Sequence, residues 1–371
     1  MECSGLSFFH MAYDGAVKIP LNFFRQTEGL KALDLVGMQF PSLPESIIHL
    51  ADLRMLCLKK CAVDDITILG ELKSLQVLNL SQSGIKELPK EMAQLTQLRL
   101  LDLRSCRELK IIPPNVLSGL SKLEELYMSW SFVEWEKGGV VENERKNASL
   151  DELNNLPCLT TLYVDILDVQ MIPKHRFVET LDRFRIFVGN YEIFDCCLNY
   201  EFPKALKLKL YTNIDLDNGT KMLLIKTEDL CLEGLEGIKN VLVELNNGKD
   251  LPNLKRLHVK NGCGKLEHLL SPSLARSLVQ LQCFEIVDCN CLRDIILAEE
   301  IEEERKDVIC FHRLNSLRIS RLPNLIFFKS GNHNIEFPLL KELKIEHCPK
   351  LIEFISQNSN QSGMHALFSE K

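Results

Sequence analysis

One short pattern governs what this chain of 371 residues can fold into. An apolar residue is followed three places later by a second and, two places after that, by a third. It reads Leu30-x-x-Leu33-x-Leu35, Leu53-x-x-Leu56-x-Leu58, Leu75-x-x-Leu78-x-Leu80, Leu98-x-x-Leu101-x-Leu103 and Leu123-x-x-Leu126-x-Met128. It continues as Leu159-x-x-Leu162-x-Val164, Leu181-x-x-Phe184-x-Ile186, Ala205-x-x-Leu208-x-Leu210, Thr227-x-x-Leu230-x-Leu232 and Leu254-x-x-Leu257-x-Val259. Leu281-x-x-Phe284-x-Ile286, Leu314-x-x-Leu317-x-Ile319 and Leu340-x-x-Leu343-x-Ile345 complete the series. Between second apolar positions the steps are 23, 22, 23, 25, 36, 22, 24, 22, 27, 27, 33 and 26. A copy this short cannot bury its own apolar residues, so copies must stack into a shared core. Within each copy the L-x-L triplet alternates, which suits a short strand with leucines turned inward and the x residues outward.

The period lies in the range of leucine-rich repeats. The expected fold is therefore an α/β leucine-rich-repeat solenoid of about 13–14 repeats. It would be a curved horseshoe with a parallel β-sheet on its concave face and an irregular or short-helical convex side. Parallel strands about 4.8 Å apart would make thirteen of them line an arc on the order of 60 Å. A degenerate copy, Cys3-x-x-Leu6-x-Phe8, would be the fourteenth. Early repeats close with Ile19-Pro20, Leu43-Pro44, Leu88-Pro89 and Ile112-Pro113, where proline ends the strand ladder and starts a turn or short helix. Five places past the second apolar position stand Cys61, Ser83, Cys106, Ser131, Asn213, Cys289 and Cys348. Small polar or thiol side chains there can satisfy backbone groups where the chain leaves the sheet.

The steps also set boundaries. Residues 1–128 read as regular N-terminal repeats, 129–158 as a polar inserted loop, and 159–356 as irregular C-terminal repeats with an acidic loop at 297–310. The inserted segment, centred on Glu134-Trp135-Glu136-Lys137-Gly138-Gly139, reads as exposed, and 357–371 as a flexible, unpatterned tail. The N-terminal repeat has no polar cap before it, so either a preceding segment or something that docks there is expected to cover that end.

Composition narrows the function classes. A net charge of −7 gives no globally basic footprint for nucleic acid. No apolar run reaches the length of a membrane span. Residues 1–15 carry no Lys or Arg before their short apolar stretch, unlike a secretion signal. A cytoplasmic setting follows as the expectation, with the 14 cysteines as thiols. Cys196-Cys197 and Cys289-x-Cys291 lack the partner spacing of a zinc site. Strings of the G-x-S-x-G or H-E-x-x-H kind do not occur, so the chain reads as a binding surface and not an enzyme, with no catalytic residue, cofactor or metal.

The strand x residues remain. Repeats five to eight would present Tyr127, Tyr163, Arg183, Arg185, Phe187, Lys207, Lys209 and Tyr211 on the concave face, a basic strip edged with aromatics. Exposed aromatic residues and arginine are enriched at protein interfaces. This strip is the expected protein-binding site.

Three stretches carry a family resemblance. They are Ile19-Pro-Leu-Asn-Phe-Phe24 leading to Leu30–Met38 and Leu43–Ile47, then Phe132-Val-Glu-Trp-Glu136 leading through Asn147-Ala-Ser-Leu-Asp-Glu-Leu153 to Leu159–Leu162, and Phe337-Pro-Leu-Leu-Lys-Glu-Leu-Lys-Ile345 leading to Cys348–Leu351. They resemble the repeat region of plant intracellular immune receptors of the coiled-coil, nucleotide-binding, leucine-rich-repeat type. The middle stretch is the most specific, since repeat packing alone does not call for it. The resemblance implies a role in defence: recognition of a pathogen effector or a guarded host protein, and autoinhibition of a nucleotide-binding domain. That family binds ADP or ATP through a phosphate loop, and no G-x-x-x-x-G-K-[ST] string occurs here. The nearest, Gly262-Cys-Gly264-Lys265-Leu266, lacks the spacing and the hydroxyl residue. The other readings are an extracellular repeat receptor or inhibitor ectodomain and a substrate-recruiting repeat domain of a ubiquitin ligase.

Overall fold

The structure is a computed structural model that describes residues 5–16, 19–20, 22–137, 145–173, 177–189, 202–209, 216, 218–234, 250–261, 266–297, 308–330 and 334–352. The chain divides into two compact units, one of residues 1–233 with 253–257, the other of 234–252 with 258–371.

In the first unit the repeats lay down β1 (Phe8–Ala16), β2 (Ala32–Ser42), β3 (Met55–Cys57), β4 (Ala62–Asp65), β5 (Val77–Asn79), β6 (Leu100–Asp102), β7 (Glu125–Tyr127), β8 (Thr161–Ile166), β9 (Arg183–Val188), β10 (Lys204–Lys209) and β11 (Asp229–Glu233). They pair in parallel in chain order, with β4 set beside β2. β12 (Arg256–Lys260) begins in the first unit and ends in the second. The second unit adds β13 (His268–Leu270), β14 (Cys283–Val287), β15 (Asp294–Ile296), β16 (Ile309–Cys310), β17 (Ser316–Ser320), β18 (Phe327–Lys329), β19 (Ile335–Glu336) and β20 (Glu342–Glu346). There β12, β14, β17 and β20 form one parallel ladder, β13, β15 and β18 a second, and β16 and β19 a third. This is the leucine-rich-repeat solenoid that the period implies.

The alternation is realised as expected in β3, β5 and β7, whose middle residues are buried between half-buried neighbours. Leu33, Leu56, Leu78, Leu101 and Leu126 are fully buried and stand side by side across β2, β3, β5, β6 and β7. Two copies shift register. Phe9, not Leu6, lies opposite Leu33, so the first copy is Leu6-x-x-Phe9-x-Met11, a step of 24 to Leu33. Leu206, not Leu208, lies opposite Leu230. At Phe9 the slip is three residues, which turns the opposite set inward, whereas at Leu206 it is two, and because the pleat repeats every two residues the same side chains stay inward. An apolar pattern alone does not detect it.

A device absent from the apolar pattern ends the strands. Four places after the second apolar position the backbone turns left-handed at Gly37, Lys60, Gln82, Ser105, Trp130, Gly234, Asn261, Asp288, Arg321 and His347. That turn swings the next side chain under the sheet. Cys61 Sγ then donates to Leu35 O at 3.2 Å, and Cys106 Sγ to Leu80 O at 3.0 Å, one repeat back. The thiols thus hold backbone carbonyls, as their spacing suggests. On the opposite side Pro44 and Pro89 precede the 3₁₀ turns Glu45–His49 and Lys90–Gln94, each proline carbonyl accepting the first turn bond.

The inserted segment is not simply exposed. Phe132 and Trp135 are buried and meet edge to face, their centroids 4.9 Å apart. Trp135 Nε1 donates to Asp165 O at 3.1 Å. Asn147 Oδ1 accepts Ile112 N at 3.0 Å while its Nδ2 donates to Lys110 O at 3.2 Å. Ser149 Oγ caps the turn Leu150–Asn155, and Glu152 accepts from Asn115 N and Ser118 N. The stretch that repeat packing seemed not to need is therefore a fastening: it pairs backbone groups of the preceding repeat and fills the enlarged core. Residues 138–144 of the segment lie outside the described residues.

Candidate protein-binding face

The solvent side of the first unit's sheet is built from rows of x residues. In register, Tyr127 stands beside Tyr163, and Tyr163 beside Arg185. One row over, Glu125 stands beside Thr161 and Thr161 beside Arg183. The tyrosine rings meet edge to face with centroids 4.8 Å apart. The Arg185 guanidinium lies 4.5 Å from the Tyr163 ring, and the Arg104 guanidinium 5.0 Å from the Tyr127 ring. Two tyrosines are thus held between two guanidiniums, each of which is attracted to the negative ring face.

Carboxylates orient this stack. Asp102 takes Arg104 in a two-point contact, Nε at 3.0 Å and Nη2 at 2.6 Å, which raises the guanidinium's already high pKa. Arg183 reaches Glu125 at 3.4 Å and Thr161 Oγ1 at 3.2 Å. The Tyr127 hydroxyl donates to Glu125. Burial, followed by that bond, pushes the Tyr127 pKa upward and keeps the phenol protonated. Arg104 and Glu125 were not among the expected site residues. Arg104 lies just beyond the strand, and nothing in an L-x-L pattern says that its side chain folds back over the next repeat.

The rest of the expected strip behaves differently. Phe187 and Lys207 lie on the same face, yet Lys207 is only 3% exposed and Phe187 packs against Cys231. The cause is Glu233 on β11, which pairs with Lys207 at 3.2 Å and Lys209 at 3.0 Å and is itself buried. Alternation says which way a side chain points, not whether an acid from the next repeat covers it. The accessible part of the strip is the Tyr127, Tyr163, Arg183 and Arg185 cluster. Tyr211 lies outside the described residues.

Two more features went unread. Asp165, on β8 beside Phe187, is buried, which pushes its pKa up to about 6 against the lowering effect of the Trp130 N–H bond. Its Oδ1 has no hydrogen-bond partner. In the earliest repeats, Phe8, Ala32, Met55, Val77 and Leu100 form one apolar row on the solvent side. Lys31, Arg54 and Arg99, all exposed, are linked through successive backbone bonds along its edge. That row was legible: in L-R-M-L-C-L and L-R-L-L-D-L the third residue is apolar where solvent favours a polar one.

Among the described residues no group of three or more His, Cys, Asp and Glu stands together to hold a metal ion, and no helix is long and apolar enough to cross a membrane.

Comparison with known proteins agrees with the repeat fold. Residues 73–131 match the Leucine rich repeat family, and residues 205–290 match the family described as plant disease resistance protein RPS2-like, leucine-rich repeats. The chain is 24% identical to Disease resistance protein At4g27190 of Arabidopsis thaliana over 90% of its own length and 39% of that protein's. It is 29% identical to Probable disease resistance protein At4g27220 of the same plant, over 92% of this chain and 43% of that protein. The chain therefore spans about two fifths of each relative. Among solved structures, an internalin, inlF, from Listeria monocytogenes superposes with a TM-score of 0.54 at 16% identity, covering 95% of this chain and 88% of that one, a likeness of fold alone.

Proposed function

We propose that this chain, which is similar to the leucine-rich-repeat region of plant disease resistance proteins, is a protein-binding module of a cytoplasmic immune receptor. Its Tyr127, Tyr163, Arg183 and Arg185 face takes a protein ligand, either a pathogen effector or a guarded host protein. Its first repeats dock on a nucleotide-binding domain and restrain it. The observation that carries the reading is the tyrosine pair held between Arg104 and Arg185. Tyrosine and arginine are enriched among the few residues that carry most of the binding energy at protein interfaces. Docking by the first repeats is supported by the apolar row edged with Lys31, Arg54 and Arg99. ADP or ATP would belong to the partner domain.

The test is co-purification of the tagged chain with a separately expressed nucleotide-binding domain of this receptor type, in three forms: parent, Lys31→Glu with Arg54→Glu, and Arg183→Glu with Arg185→Glu. The expected result is capture by the parent, loss with the first pair, and retention with the second. The second pair should instead lose an effector or host ligand while keeping the parent's melting temperature. Undiminished capture by the first pair removes the docking assignment, and undiminished ligand binding by the second removes the site.

A further inference from the structure

One carboxylate on the candidate binding face is left without a counter-charge. Asp165 follows Tyr163 by two places on β8, so its side chain points to the same side of the sheet as the tyrosine pair. It is only 8% exposed. Its Oδ2 accepts from Trp130 N, while its Oδ1 has no hydrogen-bond partner. Its register neighbour on β9 is the apolar Phe187. The cations of the next strands are engaged elsewhere: Arg185 lies over the Tyr163 ring, and Glu233 pairs with Lys207 and Lys209. Among the described residues Asp165 takes part in no ion pair.

A buried carboxylate that lacks both a counter-ion and a donor weakens the fold. Asparagine at this place would keep the bond from Trp130 N and shed the charge. Packing therefore gives no reason for an acid here, whereas its position on the candidate face does. Elsewhere on that face acids and bases are matched, Asp102 with Arg104 and Glu125 with Arg183.

Given the reading of this surface as protein-binding, on which the step rests, we propose that Asp165 receives a lysine of the protein ligand, the ammonium donating to Oδ1. Lysine fits better than arginine. With Oδ2 already taken by Trp130 N, a single oxygen is left. That suits one donor of an ammonium and not the two-point contact a guanidinium favours. The apolar stem of lysine can lie against the Tyr163 ring.

The chain's two tryptophans both bond to Asp165, Trp130 through its backbone N–H and Trp135 through Nε1 to Asp165 O at 3.1 Å, so tryptophan fluorescence reports on this place. The probes are Nα-acetyl-lysine methylamide, its norleucine counterpart, which lacks the ammonium, and its arginine counterpart. Each is titrated at constant ionic strength into the full chain and into Asp165→Asn. The expected result is a saturable change with the lysine probe in the parent and none with norleucine. In Asp165→Asn the lysine probe should bind about tenfold more weakly or worse. That variant should melt no lower than the parent, which separates a lost site from a lost fold. No saturation in the parent, equal affinity in Asp165→Asn, or equal binding of the norleucine probe overturns the proposal. An arginine probe that binds as tightly as the lysine probe overturns the choice of lysine. Any of these failures leaves the face itself standing, since Arg183→Glu with Arg185→Glu tests it against a whole protein ligand.

Discussion

Left-handed backbone four places after the second buried position recurs in most described repeats, from Gly37 to His347, as a local demand of this fold. Most side chains tolerate that region at a cost, and β-branched ones tolerate it least. Gln82, with φ 61°, is one such residue, and glycine occupies the equivalent place at Gly37 and Gly234. Gln82→Val is expected to lower unfolding free energy by about 1–2 kcal/mol, while Gln82→Gly stays close to the parent, as read from urea denaturation. Asp165 adds a pH effect. Its folded pKa, about 6, lies above the ordinary value of 3.8, because burial disfavours the carboxylate. The folded chain therefore keeps a proton that the unfolded chain releases between those two values. The ionised group weakens the fold at neutral pH, and the penalty is relieved as pH falls through 6 toward 3.8. Asp165→Asn should abolish this pH dependence and, its amide oxygen still accepting from Trp130 N, gain on the order of 2 kcal/mol at pH 7. Denaturation midpoints from pH 4 to 8 that run parallel in the two forms would refute the assignment.

Elements stack closely only where side chains permit. The 3₁₀ turn Thr67–Glu71 abuts the turn Lys90–Gln94, and a Cβ added to Gly70 would stand 2.5 Å from Glu91 Cβ and 2.9 Å from Glu91 O. The second contact is backbone, so it cannot swing aside. Gly70→Ala is expected to cost about 1–3 kcal/mol, visible as a lowered melting temperature with an unchanged circular dichroism spectrum at 25 °C. The inserted segment obeys the same logic in reverse. Its larger step is filled by Phe132, Trp135, Ala148 and Leu150, and Asn147 satisfies the backbone of Ile112 and Lys110. The polar, glycine-containing centre of the segment pointed to an exposed loop, because composition does not reveal which polar side chains turn inward to bond a neighbouring backbone.

Across the whole molecule, each repeat touches chiefly its neighbours, so damage should stay local. Leu101 is fully buried between Leu78 and Leu126. Leu101→Ala should remove about 2–5 kcal/mol and speed amide exchange in the repeats of Leu78 and Leu126, while amides of β14 and β17 keep their rates. Loss of protection throughout the chain would mean a single cooperative core and contradict the repeat reading.

The repeat, its period, the inward leucines, the proline-led turns and the role of the thiols could all be read from residue order, because each depends on spacing along one chain segment. Register at Leu206 could not, since a shift of two residues leaves the apolar pattern intact, nor could that at Phe9, where Cys3-x-x-Leu6-x-Phe8 and Leu6-x-x-Phe9-x-Met11 are both apolar. The candidate binding face was legible only in part. Periodicity put Tyr127, Tyr163, Arg183 and Arg185 on one surface, and the structure brings them together. Only tertiary packing decided that Arg104 folds back over Tyr127 and that Glu233 pairs with Lys207 and Lys209 and takes Lys207 out of solvent. Strand alternation sets the direction of a side chain. What meets it there comes from residues more than twenty places away, whose register the local pattern does not specify.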